Sequence, residues 1–61
     1  MTPQEWHQRI RENVNAYLLH ELTLDELNER QREVWDCIIA SGHRMAVLKI
    51  IRAEIHAKGL V

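Results

Sequence analysis

The sequence of 61 residues contains few of the residues that cross-link or interrupt a small protein. It has one cysteine, one proline, two glycines and no phenylalanine. The single thiol, Cys37, excludes an internal disulfide framework and fits a reducing compartment, so we expect a cytoplasmic protein. No apolar run approaches the roughly 18 residues of a membrane span, and no secretory signal pattern opens the chain. We therefore expect no membrane partner.

Patterns typical of enzymes and metal sites are also absent. The four histidines are His7, His20, His43 and His56, and no two of them have the spacing of a helical ligand pair. Cys37 has no CxxC partner, and the chain has neither a glycine-rich phosphate loop nor a GxSxG motif. We therefore expect no metal, no cofactor and no enzymatic activity.

Chain length limits the fold to one domain over residues 1–61. A domain of this size buries only about 60% of its unfolded surface and usually needs a disulfide, a metal or a partner chain. Because a disulfide is excluded and a metal is not expected, we expect a second copy of the chain or another protein to supply the support.

The composition indicates a helical chain, since helix formers are plentiful and strand-like alternation is absent. Thr2 and Thr23 are each followed three residues later by a glutamate, Glu5 and Glu26, which is the pattern of a capping box. Gly42 can end a second helix. We therefore predict an all-α antiparallel bundle of three helices, at about 3–20, 24–40 and 43–58, completed by dimerisation. A single bent helix over about 24–58 is the alternative.

Apolar residues at helical spacing predict the packed face of each helix. The first stripe is Trp6, Ile10, Val14, Tyr17 and Leu18, and the second is Leu27, Val34, Trp35, Ile38 and Ile39. In the third helix Leu48, Ile51 and Ile55 form one seam with Val47 beside it. Gln31 interrupts the second stripe. At the end of the chain, Gly59 closes the third helix, with Ile55 and Leu60 at the spacing of a Schellman contact.

A second seam on the third helix predicts self-association. We call Ala46, Ile50, Ala53 and Ala57 the small-residue seam. Their spacings of four, three and four follow the rhythm of close helix packing, and small side chains let another helix approach. Because one small core does not need both seams, we predict that this seam meets a second copy of the chain.

Charge is divided unevenly between the two parts of the chain. Residues 1–42 carry four arginines against eight acids, and residues 43–61 carry four cations against one acid. Five acids gather on the side of the second helix opposite its apolar stripe. We call Asp25, Glu26, Glu29, Glu33 and Asp36 the acidic face. Five acids on one arc exceed what solubility needs, so this face could dock a basic protein partner. The alternative is a solvated face in which Glu26 and Arg30 form a pair one helical turn apart.

The third helix carries the opposite charge. We call Arg44, Lys49, Arg52 and His56 the basic face. These side chains could touch phosphates, but nucleic-acid-binding domains are usually net basic and this chain has a net charge of −1. Nucleic-acid binding is therefore the alternative and not the favoured function.

Two segments of the chain match a family pattern. The first is Thr2-x-Gln4-Glu5-Trp6-x-x-Arg9-Ile10-Arg11, and the second is Ala40-Ser41-Gly42-His43-Arg44-Met45-Ala46-x-Leu48. Both are similar to segments of the Hha/YmoA family of small enterobacterial nucleoid modulators, at nearly the same separation. The resemblance implies an all-α protein that docks on a nucleoid-structuring protein and tunes gene silencing. Gly42 stands where that family has an aspartate that it uses towards its partner's arginines.

The favoured function is therefore that of a small regulatory or accessory protein that binds another protein through its helix faces. The alternatives are a DNA-binding regulator that uses the basic face, and a structural protein that only associates with itself.

Overall fold

The computed structural model describes residues 1–59, which form three α-helices and no strand. The helices are α1 (Pro3–Leu18), α2 (Leu24–Ala40) and α3 (Arg44–Ala57). The predicted all-α class is confirmed, and α2 and α3 are separate helices. Leu60 lies outside the described residues, and so does its predicted contact with Ile55.

Both predicted capping boxes are present. The Glu5 amide donates to Thr2 Oγ1 at 3.2 Å, and the Thr2 amide donates to Glu5 Oε1 at 2.9 Å. At α2 the Glu26 amide donates to Thr23 Oγ1 at 3.2 Å, and the Thr23 amide donates to Glu26 Oε1 at 3.0 Å. Each box satisfies amides that a helix start leaves without partners, which explains why the first two helices begin where the sequence predicts.

The first two helices both end in a Schellman motif with a residue in the left-handed conformation. At the end of α1, His20 has φ 62°, and the amides of His20 and Glu21 donate to the carbonyls of Tyr17 and Ala16. At the end of α2, Gly42 has φ 75°. The amides of Gly42 and His43 there donate to the carbonyls of Ile39 and Ile38.

Helix α1 therefore ends at Leu18, two residues before the predicted boundary. The turn at His20 closes the helix there, in a left-handed conformation that is uncommon for residues other than glycine.

Helix α1 packs against both other helices, whereas α2 and α3 make fewer contacts with each other. The smallest dimension of the molecule is 16 Å. Two packed helices are about 13–15 Å thick across their Cα cylinders, since their axes lie about 8–10 Å apart and each cylinder has a radius of about 2.3 Å, so the molecule is little thicker than two helices. The only fully buried side chains among residues 1–59 are Ile38 and Val47. The antiparallel orientation and the dimer stay predictions.

Some members of the predicted apolar stripes remain exposed. Val14 is 38% exposed, Leu18 is 65% exposed and Ile39 is 56% exposed, although each lies on its predicted stripe. With only two layers of helices, the neighbours are too few to cover the flanks of the stripes. This leaves apolar side chains at the surface of α1 and α2.

Gln31, which interrupts the apolar stripe of α2, forms a polar link to α1. Its Oε1 accepts from Asn13 Nδ2 at 2.9 Å, and its Nε2 donates to the Ile10 carbonyl at 3.2 Å. Both Gln31 and Asn13 are half-buried. A polar residue at this position is therefore satisfied across the helix interface.

Candidate protein-docking faces

The acidic face lies on the outer surface of α2. All five of its residues are exposed. In residues 1–59 the ion pairs within 4 Å both involve Glu54 of α3, so no carboxylate of the acidic face has an ion-pair partner. The charge of this face is therefore not neutralised by close contacts within the described chain.

A groove of about 440 Å³ between α1 and α2 brings three members of the acidic face together. Glu26, Glu29 and Glu33 line it, whereas Asp25 and Asp36 do not. The other lining residues are Arg9, Asn13, Arg30 and Val34. Sequence reasoning missed Arg9 and Asn13, which belong to α1 and reach the groove only through helix packing.

The carboxylates of the groove differ in how they are held. Hydrogen bonds from the backbone and side chain of Thr23 lower the pKa of Glu26 below its ordinary value of 4.5, so this group is anionic at neutral pH. Glu29 and Glu33 take part in none of the side-chain hydrogen bonds found in the described residues. They lie one turn apart and repel each other. These two groups therefore have the most to gain from a basic partner.

The basic face lies on α3, and its four residues, Arg44, Lys49, Arg52 and His56, are exposed. None of them belongs to an ion pair within 4 Å in residues 1–59. Met45, on the same side, is 60% exposed. The structure thus presents the basic face to solvent, on a different helix from the acidic face.

The small-residue seam is divided between the bundle and the surface. Ala46 and Ile50 are half-buried, whereas Ala53 and Ala57 are exposed. The first half of the seam therefore contributes to the packing of one chain, and only the second half is free to meet another. Contact with a second copy stays a prediction.

An ionic cluster that sequence reasoning missed joins α1 to α3. His7 Nε2 lies 2.7 Å from Glu54 Oε2, and Lys58 Nζ lies 2.9 Å from Glu54 Oε1. The Lys58 hydrogen bond is the main cause that lowers the pKa of Glu54 below 4.5. The Lys58 contact spans one helical turn and could be found from spacing, but the partner on α1 is 47 positions away from Glu54 and has no local signal.

Other features of the described residues bear on function. No three His, Cys, Asp or Glu side chains of residues 1–59 are grouped as metal ligands would be. Cys37 is exposed. None of the helices that these residues form is both long and apolar enough to cross a membrane. The Trp6 Nε1 and His43 Nδ1 atoms are buried without a hydrogen-bond partner.

Comparison with known proteins gives no match to a family model, to a curated protein or to a solved structure.

Proposed function

We propose that this chain is a small, non-enzymatic regulatory or accessory protein that binds a basic segment of another protein through its acidic face. The observation that carries the proposal is the set of five exposed carboxylates on α2, none of which has an ion-pair partner within residues 1–59. The groove beside α1 brings Glu26, Glu29 and Glu33 together with two arginines, so acids outnumber cations in its lining and it offers a concave place for one further arginine or lysine side chain.

The repulsion between acids of the acidic face supports a role in binding a partner over a role in solubility alone. Glu29 and Glu33 are like charges one turn apart, which destabilises a helix by about 0.2–0.5 kcal/mol. A cationic partner would relieve this repulsion when it binds. Complementary charge also speeds and orients association, and its contribution falls as salt rises. The docking that we propose is therefore salt-sensitive.

The resemblance to the Hha/YmoA family favours a partner that organises the nucleoid, and with it a role in modulating transcription. Gly42 lacks the carboxylate that the family uses towards arginines. In this chain the carboxylates of α2 would do that work.

DNA binding through the basic face is the second candidate, and the exposure of its four residues without ion pairs supports it. A net charge of −1 opposes it, because phosphate binding is driven by excess positive charge. Self-association through the small-residue seam is compatible with either function.

Two charge reversals distinguish the candidates. We expect Glu29→Lys with Glu33→Lys to abolish capture of the protein partner while leaving helicity intact, and Lys49→Glu with Arg52→Glu to have far less effect. Capture of a protein partner in a pull-down and binding of DNA in a titration are measured for both double variants in parallel, at two salt concentrations. If DNA binding is the function, the basic-face variant loses DNA binding for all sequences, and the wild-type salt slope reflects about two to four phosphate contacts. Loss of capture in the basic-face variant alone would overturn the assignment to the acidic face.

A further inference from the structure

A second groove, of about 380 Å³, lies between α1 and α3 and has a mainly apolar lining. Ile10, Val14 and Leu18 line it from α1, and Ile51 and Ile55 line it from α3. Leu18 is 65% exposed and Val14 is 38% exposed, so the groove opens to solvent through apolar side chains. None of the residues of the acidic face, the basic face or the small-residue seam lines it.

The accessible surface of the whole chain is larger than expected for a folded monomer of its mass. The accessible surface is 4761 Å² for a mass of 7.2 kDa. Folded monomers of this mass expose about 4100 Å² on the usual scaling. The whole chain therefore exposes about 600 Å² more than this scaling gives, compared with the roughly 800 Å² that each partner buries in a standard interface. Only Ile38 and Val47 are fully buried among residues 1–59. In this respect the chain resembles a subunit of an oligomer more than an independent domain.

The charges around the groove are compatible with a copy of the same surface. Glu54 is bound by both His7 and Lys58, so the anion at the rim is already neutralised within the chain. Arg11 is the other charged lining residue. Apart from His7, the lining carries two cations and one anion, so it has no strong charge that a foreign partner would have to complement. An apolar, nearly neutral patch can face itself across a two-fold axis.

We propose that a second copy of this chain covers the α1–α3 groove, so that Val14, Leu18, Ile51 and Ile55 of both copies form one shared apolar core. The acidic and basic faces lie outside this contact and stay free. The dimer therefore does not depend on the proposed function, and it would present each charged face twice.

Adjacent leucines at the end of α1 provide a matched test. Leu18 lines the groove and is 65% exposed, whereas Leu19 does not line it and is 69% exposed. We expect the wild-type chain to sediment as a dimer at micromolar concentration. Leu18→Lys should weaken the dimer at least tenfold, and Leu18→Gln should weaken it without adding charge. Leu19→Lys adds the same charge at the same end of the helix and should leave dimerisation unchanged. Circular dichroism at a concentration where the wild type is monomeric checks that each variant keeps its helices.

Four results would overturn the proposal. The first is a wild-type chain that stays monomeric up to millimolar concentration. The second is an equal loss of dimer in Leu18→Lys and Leu19→Lys. The third is a Leu18→Gln variant that dimerises as the wild type does. The fourth is dissociation by Ala53→Glu but not by Leu18→Lys, because the small-residue seam would then be the interface.

Discussion

Gln31 links α2 to α1 through two hydrogen bonds, and replacing it with leucine tests whether this polar link holds the pair of helices together. The substitution restores an unbroken apolar stripe on α2 and removes the bonds to Asn13 Nδ2 and to the Ile10 carbonyl. The Ile10 carbonyl lies inside α1, where it also accepts the bond of the helix ladder. The main loss is therefore the partner of the Asn13 amide.

The magnitude follows from the hydrogen bond that is lost. A hydrogen bond between side chains contributes about 0.5–1.5 kcal/mol net, and a buried donor left without a partner costs about 1–3 kcal/mol. Because Gln31 and Asn13 are only half-buried, water can reach the freed amide in part. We expect Gln31→Leu to lower the free energy of unfolding by about 1 kcal/mol, which lowers the melting temperature by about 4–8 °C for a chain this small.

A double-mutant cycle with Asn13→Leu isolates the bond. Each single substitution leaves one polar group without its partner, and the double substitution removes both, so we expect a coupling free energy of about 1 kcal/mol. Urea denaturation followed by circular dichroism gives the four free energies, at one fixed chain concentration because dimerisation would raise apparent stability. A coupling near zero would refute the claim that Asn13 and Gln31 join the helices.

The remaining predictions concern helix ends and acid. His20→Gly should raise stability by about 1 kcal/mol, because His20 holds a φ of 62° that glycine adopts without strain, and Gly42→Ala should lower it by about the same amount in thermal melts. Thr23→Ala should lower the free energy of unfolding by about 1 kcal/mol in urea denaturation, because it removes a helix cap. Thr2→Ala should lower it less, because the end of a chain frays, and equal losses in the two variants would contradict this. The pKa of Glu54 is lowered in the folded chain, so its stabilising effect is present above the ordinary pKa of 4.5 and is lost as pH falls through the folded value. Glu54→Gln should therefore make stability fall less steeply below pH 4.5, which melts from pH 6 to pH 2 would measure.

Local signals allowed the helix starts and the break between α2 and α3 to be predicted from sequence. The capping boxes at Thr2 and Thr23 depend on residues three positions apart, and Gly42 takes the left-handed conformation that a Schellman motif favours. Helix α1 ends at Leu18, two residues before the end that the sequence predicts, because a histidine occupies the position where glycine would mark the turn. Histidine occurs in many other conformations, so its presence does not mark a helix end as glycine does.

Features that depend on packing between helices could not be predicted in the same way. Gln31 breaks the apolar stripe of α2, and only the position of α1 shows that its amide is satisfied. Arg9 enters the acidic groove for the same reason. Helical spacing places the five acids of α2 on one exposed face, but the contact of three of them with the groove beside α1 is a tertiary property. The exposure of Leu18 also depends on how many neighbouring side chains the small bundle supplies, and the spacing of residues along α1 does not show this number.

The central claim is that the acidic face binds a basic segment of another protein. The most direct test measures the affinity of two double variants, each with two acids replaced by glutamine, for the protein that the wild-type chain captures. Glu29→Gln with Glu33→Gln changes the acidic face, whereas Glu12→Gln with Glu21→Gln removes the same charge from exposed acids outside it. If the acidic face docks a basic segment, the first pair lowers affinity at least tenfold at low salt and makes binding less dependent on salt, and the second pair leaves the affinity within about threefold of wild type. Equal losses in both pairs would show that only net charge matters, and unchanged affinity in the first pair would show that the partner binds elsewhere.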